Sequence, residues 1–205
     1  MPKVVYGLSN VHYALLTEVV DPETGLITSQ YGTVKAWPGA VNLTLDPSGD
    51  PIIFSADNSA YYTISNNKGY EGDFECARIP DDIRTDTLGS KKDSKGFVVE
   101  TDKDKISYFA LMFEIETDEN PTRYVFYKCS LAKRPSVASS TVDVSGDLEI
   151  GTETVTFKCM PQASATEING VLCHLVKAFT GEEVDSTAYN SFYSSVYIPD
   201  FDSES

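Results

Sequence analysis

The sequence predicts a mainly β protein, an antiparallel β-sandwich or partly open barrel with one or two short flanking helices. Apolar residues recur with a period of two along most of the chain, and these runs are rich in aromatic and β-branched residues. Proline, glycine, aspartate and asparagine fill the segments between the runs. The chain has 205 residues, of which 41% are hydrophobic, so we expect a single domain with a substantial core.

Alternation between apolar and polar side chains marks the predicted strands. It is clearest at residues 41–45, 109–115 and 154–159. Turn sequences separate the strands at residues 46–50 and 66–69, and the pair at residues 57–58 is placed to close a hairpin. Further strands are predicted at residues 11–17, 31–36, 52–56, 61–64, 73–79, 123–130 and 172–178.

Two helices are predicted to interrupt the strands. The first begins near Pro80, because proline suits a first helical turn and the following aspartates favour its positive end, and it ends at Gly89. The second covers residues 186–197 and ends before Pro199. Its aromatic residues and one valine recur at helical spacing, which indicates a stripe packed against the sheet.

Acidic composition limits the classes of partner. Aspartate and glutamate number 31 against 16 lysines and arginines, giving a net charge of −15. Specific nucleic-acid binding needs clustered basic residues, and the basic residues here are scattered. The start of the chain lacks an apolar signal core, so we expect folding in a cytoplasm, with the four cysteines reduced and buried in the core.

Polar segments interrupt the regular pattern. Residues 90–105 are charged and are predicted to form a mobile loop, residues 136–151 form a second polar connection, and residues 200–205 form a flexible acidic tail. The role of residues 22–30 is left open.

The residues typical of catalysis and metal binding do not form a known motif. His12 and His174 both fall in predicted strands, and His174 follows Cys173 directly, so those two side chains point to opposite faces. Glu114 and Glu116 form an i, i+2 pair that is more simply explained as a polar stripe than as an acid–base pair. We therefore expect no enzymatic activity, no cofactor and no metal site.

A series of short phrases carries a family resemblance from Tyr6 to Pro199. The first, Tyr6-Gly7-Leu8-Ser9-Asn10 followed by Tyr13-Ala14, resembles the start of major tail proteins from long-tailed, non-contractile phages of Gram-positive hosts. Further phrases match in order and spacing: Pro38-Gly39-Ala40-Val41, Leu45-Asp46-Pro47-Ser48-Gly49-Asp50, Phe54-Ser55-Ala56-Asp57-Asn58, Asn67-Lys68-Gly69-Tyr70-Glu71-Gly72-Asp73, Ile79-Pro80-Asp81, Phe109-Ala110-Leu111-Met112-Phe113-Glu114, Arg134-Pro135 and Ala188-Tyr189-Asn190-Ser191-Phe192-Tyr193.

The resemblance implies a tail-tube fold and a structural role in the virion tail, with assembly in the host bacterial cytoplasm. It implies hexameric rings that pair sheet edges, stack into a tube, and work with a tape-measure protein and with distal-tail and terminator proteins. DNA would pass through the channel without specific binding and without a membrane partner. Six copies carry on the order of 90 negative charges, enough to repel DNA from a channel wall.

Two sets of residues follow as hypotheses. Residues 46–72 are the candidate inter-subunit arm, with Asp57, Tyr61, Tyr62 and Tyr70 as contact residues. The alternative for this segment is an ordinary hairpin packed inside the subunit. The candidate lumen-facing acids are Asp73, Glu75, Glu114 and Glu116.

Two other functions compete with the tail tube. One is a single-ring tail component on the same fold, a distal-tail or terminator protein. The other is a β-sandwich carbohydrate-binding module in which Trp37 and exposed tyrosines stack on sugars, although Trp37 beside Pro38 fits a core or an interface better.

Overall fold

The structure is a computed structural model that describes residues 4–56, 58–137 and 151–201. Fifteen strands and two short helices lie in these ranges. In chain order they are β1 (Val5–Val20), β2 (Ile27–Tyr31), β3 (Lys35–Ala36), β4 (Ala40–Ser48), β5 (Ile52–Ala56), β6 (Ser59–Ile64), β7 (Gly69–Cys76), α1 (Asp81–Thr87), β8 (Lys91–Lys92), β9 (Val98–Val99), β10 (Tyr108–Thr117), β11 (Thr122–Leu131), β12 (Glu153–Met160), β13 (Ala165–Ile168), β14 (Val171–His174), β15 (Lys177–Phe179) and α2 (Ser186–Ser191).

One nine-stranded antiparallel sheet organises the molecule. Its main order is β2-β1-β10-β11-β12-β7-β4, with β3 paired to β1 and β15 paired to β11. Three two-stranded ribbons, β5–β6, β8–β9 and β13–β14, lie outside this sheet. The sheet is open, because its end strands β2 and β4 do not pair with each other. The predicted class, mainly antiparallel β with two short helices, is confirmed.

Two irregularities bend β1 where it pairs with β10. The register shifts between Tyr6 and Leu8 and again between Ser9 and His12. Gly7 has φ +73° and Asn10 has φ +50°, a left-handed conformation that glycine and asparagine adopt most readily. A Cβ at Gly7 would also lie 3.2 Å from a carboxylate oxygen of Glu116. These bulges explain why glycine and asparagine stand at these two positions.

The main core lies on one face of the sheet and is rich in aromatic side chains. Trp37 is its centre, with ring centroids of Phe74 at 5.0 Å and Phe157 at 5.8 Å, both edge-on. Ile83 of α1 is fully buried in the same cluster. The prediction that Trp37 is buried is confirmed, and its indole is therefore closed to a sugar ring.

A second, smaller core lies on the opposite face of β1, β10 and β11. Met112 and Val125 contribute from the strands, and Phe192 and Val196 come from the segment that follows α2. Strand β10 is therefore buried on both faces over most of its length, which explains its nearly continuous apolar sequence.

Helix α2 begins at a well-formed cap. The Asp185 carboxylate accepts hydrogen bonds from the backbone N–H groups of Thr187 and Ala188, each at 2.9 Å. The helix ends at Ser191 and a turn follows, so it is shorter than the predicted 186–197.

Removing this cap should loosen the cover of the second core. We expect Asp185→Ala to lower the free energy of unfolding by about 1 kcal/mol, because two helix N–H groups lose their acceptor. Urea denaturation measures it, with Asp185→Asn as the matched control that keeps a side-chain oxygen. An equal loss in both variants would mean that the carboxylate charge, rather than the cap, is what matters.

Two predicted strands are divided in the structure. The predicted strand at 31–36 is interrupted after Tyr31, and the predicted strand at 172–178 is interrupted at Leu175, which is buried in the second core. In the second case the strand changes partner, from β13 before the break to β11 after it. The predicted loop 90–105 contains the small β8–β9 ribbon, closed by bonds from the N–H groups of Lys95 and Phe97 to the Asp93 carboxylate. Its predicted mobility stays a prediction.

Candidate assembly surfaces

The β5–β6 ribbon continues the ladder between β4 and β7 and then leaves the main sheet. Ser48 at the end of β4 faces Gly69 at the start of β7, and the Lys68 N–H donates to the Ser48 carbonyl at 3.0 Å. Beyond this point β5 and β6 pair only with each other among the described strands. The predicted hairpin in the candidate arm is thus present, as the outer half of one long antiparallel ribbon.

This ribbon exposes large apolar side chains. Phe54 is 61% exposed, Tyr62 is 62% exposed and Tyr61 is 71% exposed. The register pairs Ile52 with Ile64 and Phe54 with Tyr62, so these four side chains share one face of the ribbon. A two-stranded ribbon is marginally stable alone, and an exposed apolar patch of this kind is typical of an interaction site.

The other two predicted contact residues are placed differently. Tyr70 lies at the base of the ribbon and is partly buried, with its ring 5.2 Å from Phe126 and the Lys177 ammonium 4.4 Å above it. Asp57 lies outside the described residues.

An apolar groove of about 380 Å³ opens between the start of β1 and β4. The start of β1 and β4 are not hydrogen-bonded to each other. The floor of the groove is formed by β10 and β11. The groove is lined by Tyr6, Leu8, Leu43, Leu45, Tyr70 and Phe113, among others.

A second apolar surface lies at the β1–β2 hairpin, within and beside the segment whose role the sequence left open. Val19, Val20, Leu26 and Ile27 are all exposed there, and β2 is an end strand of the sheet. Sequence reasoning missed this surface. Apolar and polar residues do not alternate regularly here, so the pattern cannot separate an exposed edge strand from a buried one.

Strand β7 carries a row of acids on the face opposite the main core. Glu71, Asp73 and Glu75 alternate with core-facing residues such as Phe74, and Asp46 lies across from Glu71 on β4. The Thr156 hydroxyl donates to the Asp73 carboxylate at 2.7 Å, and the Thr152 hydroxyl donates to Glu75. Within the described ranges, Lys158 opposite Glu71 is the one basic residue that the strand register pairs with this row. No element covers these acids in the described part of the chain.

Asp46 and Glu71 extend the predicted acidic set. The i, i+2 spacing of Glu71, Asp73 and Glu75 in the sequence was the available signal for Glu71. Asp46 could be found only from the strand register, which brings β4 beside β7.

Glu114 and Glu116 lie on β10, away from this row. Glu114 is buried and forms an ion pair with Arg123, whose Nε lies 3.1 Å from a carboxylate oxygen. Ser9 and Asn10 also donate to that carboxylate. The charge of Glu114 is thus compensated inside the subunit.

Arg123 connects this pair to the helix that covers it. Its guanidinium stacks on the Tyr189 ring at 3.9 Å and donates to the Tyr189 carbonyl. Glu114 and Arg123 therefore hold β1, β10, β11 and α2 together. Glu116 is half-buried beside Gly7.

The histidines make local contacts. His12 lies 2.7 Å from the Asn10 carbonyl through Nδ1 and packs on Tyr193, and His174 Nδ1 lies 3.0 Å from the Gln162 carbonyl. Among residues 4–56, 58–137 and 151–201, no group of three or more histidine, cysteine, aspartate or glutamate side chains is arranged to hold a metal ion.

Neither helix found in the described ranges has the length and apolar character needed to span a membrane. The chain matches none of the protein-family models and no curated protein.

Proposed function

We propose that this chain is the structural subunit of the tail tube of a long-tailed, non-contractile bacteriophage, forming hexameric rings that stack around an acidic channel. The observation that carries the proposal is the β5–β6 ribbon, which exposes Phe54, Tyr61 and Tyr62 while the rest of the molecule buries two ordered cores. The ordered sequence phrases that resemble major tail proteins are the support for a tail tube as the assembly.

The open sheet supports a ring built from sheet edges. Its end strands β2 and β4 lie at opposite ends of the strand order, so β2 of one subunit can pair with β4 of the next. Such a head-to-tail contact closes into a ring when a whole number of subunit rotations makes one full turn, which for six subunits means one sixth of a turn each. The exposed apolar residues of the β1–β2 hairpin would be covered in the same contact.

Stacking of rings would use the β5–β6 ribbon. A ribbon that extends beyond the sheet can reach a subunit of its own ring or of the next one. Head-to-tail stacking does not close, and it therefore gives a filament.

The acidic row on β7 would face the channel. Asp46, Glu71, Asp73 and Glu75 form a patch that no described element covers, and carboxylates repel the phosphates of DNA. A channel wall of this kind lets DNA slide without binding. Glu114 has a compensated charge and is assigned a structural role in the proposal, so the channel hypothesis now rests on the β7 row.

Reversing charge on this row should impair DNA delivery more than tube assembly. We expect Asp73→Lys with Glu75→Lys to leave tubes visible by electron microscopy, while phage carrying the variant eject their DNA more slowly or incompletely. The physical reason is that ammonium groups in the channel bind phosphate.

A matched control makes the same charge change elsewhere. Asp102→Lys with Glu182→Lys alters two exposed acids that lie off the β7 row and should leave ejection unchanged. The Asp73/Glu75 variant could instead form fewer tubes, while the phages that do assemble eject their DNA normally. That result would mean that these acids do not line the channel.

The assembly itself is tested with the purified protein. At rising concentration, alone and then with tape-measure and initiator proteins, sedimentation and negative-stain microscopy should detect long tubes. Rings that never stack would favour the single-ring tail component instead.

A further inference from the structure

Two cysteines face each other in the main core. Cys129 on β11 and Cys159 on β12 are direct ladder partners, and their sulfur atoms lie 2.7 Å apart. Both are almost completely buried, with 0% and 1% of their surface exposed. The two sulfur atoms are closer than non-bonded sulfurs normally approach.

The hydrogen-bond pattern places this pair at a site suited to a covalent link. The Ala132 N–H donates to the Thr156 carbonyl at 2.7 Å, which marks a hydrogen-bonded pair just beyond the last pair of the ladder. Hydrogen-bonded and non-hydrogen-bonded pairs alternate, so Cys129 and Cys159 form a non-hydrogen-bonded pair. Cα atoms at such a site are about 4.5 Å apart, within the range that a disulfide spans.

The other two cysteines have no such partner. Cys76 faces Glu153 and Ala40 on the neighbouring strands, and Cys173 faces Thr166. The strand register therefore brings only Cys129 and Cys159, among the four cysteines, opposite each other.

We propose that Cys129 and Cys159 form a cross-strand disulfide when the protein meets a peroxide or folds in the presence of oxidised glutathione, joining β11 to β12 through the core. This bond does not depend on the tail-tube proposal. In a reducing cytoplasm the thiols remain reduced, so the link forms only after the protein leaves that compartment.

With hydrogen peroxide the chemistry has two steps. One thiol, as its thiolate, attacks a peroxide oxygen; the O–O bond breaks, water leaves, and a sulfenic acid remains. The sulfur of the second thiol then attacks the sulfenic sulfur, the S–O bond breaks and a second water leaves. The two thiols lose two electrons and two protons in total, and one peroxide is reduced to two waters. In the refolding route one thiolate attacks oxidised glutathione, which releases one glutathione and leaves a mixed disulfide; the second thiol then displaces the other glutathione as the protein disulfide forms.

Burial controls the rate of this reaction. Desolvation raises the pKa of the Cys129 thiol, so the folded protein holds little thiolate. Oxidation of the folded protein should therefore be slow, and oxidation during refolding, when both thiols meet solvent, should be fast.

The test compares the two routes on the full chain. Reduced protein is exposed to hydrogen peroxide in a time course and, separately, refolded from denaturant in a glutathione redox buffer. Remaining thiols are alkylated in denaturant, and peptides are mapped by mass spectrometry without reduction. We expect one linked peptide pair containing Cys129 and Cys159, formed faster in the refolding route, and a melting temperature raised on the order of 10 °C.

Two variants sharpen the result. Cys76→Ala with Cys173→Ala should keep the link, and Cys159→Ala should lose it; the wild-type peptide map decides if the latter variant does not fold. Full alkylation of both core cysteines after refolding in the redox buffer would overturn the proposal. A bond from either of them to Cys76 or Cys173 would overturn it as well.

Discussion

Tubes should fail to assemble when Tyr61 and Tyr62 are both replaced by alanine, while the free subunit keeps its melting temperature. Both rings are more than half exposed on the β5–β6 ribbon, so truncation removes little packing from the subunit itself. Buried aromatic anchors at interfaces contribute about 2 kcal/mol or more each, which corresponds to at least about a 30-fold weaker contact per residue. The effect multiplies along a polymer in which every subunit makes the contact.

The measurement is the concentration at which tubes appear, followed by sedimentation, together with thermal melting of the unassembled protein. Phe97→Ala is the matched control, because Phe97 is 67% exposed but lies in the β8–β9 turn. If the Tyr61/Tyr62 variant assembles normally and its subunit melts early, the ribbon is an internal hairpin and the arm hypothesis is wrong.

Arg123→Ala should lower the free energy of unfolding by about 3–5 kcal/mol, because it leaves the buried Glu114 carboxylate without its counter-charge. The Arg123 guanidinium also stacks on Tyr189 and bonds its carbonyl, so α2 loses a tie to the sheet. Urea denaturation of the unassembled protein gives the change.

A double variant separates the ion pair from its individual charges. Replacing Glu114 by glutamine together with Arg123 by methionine removes both charges and should cost less than Arg123→Ala alone. If the loss of unfolding free energy in the double variant equals the sum of the losses in Glu114→Gln and Arg123→Met measured singly, Glu114 and Arg123 act independently. If Arg123→Ala leaves the stability unchanged, Glu114 does not depend on Arg123 for charge compensation, and it becomes a candidate channel acid again.

The sequence predicted the strands best where one face is buried and the other is solvated. Alternation identified β4 and β12, and the capping residues around Pro80 and Gly89 identified α1 correctly, with Gly89 at φ +79°. Strand β10 showed a mixed second face because Phe192 and Val196, which follow α2 much later in the chain, return to cover it. No local pattern carries that information.

The candidate surfaces were predicted only in part, because they too depend on contacts between distant parts of the chain. Turn residues and tyrosines located the β5–β6 ribbon, but only the structure shows that Phe54 and Tyr62 remain more than half exposed in the subunit. Glu114 resembled a solvated acid because its partner Arg123 lies nine positions later, in the next strand. Their contact depends on the β10–β11 register and on cover from α2, and neither is readable from spacing.

The most direct test of the central claim is a cryo-electron microscopy reconstruction of the assembled protein. We predict stacked rings of six subunits, with the β5–β6 ribbon of each subunit buried against a neighbour and the β7 acids Glu71, Asp73 and Glu75 facing the central channel. A compact single particle that leaves β5–β6 in solvent under every assembly condition, with tape-measure and initiator proteins present, would contradict it.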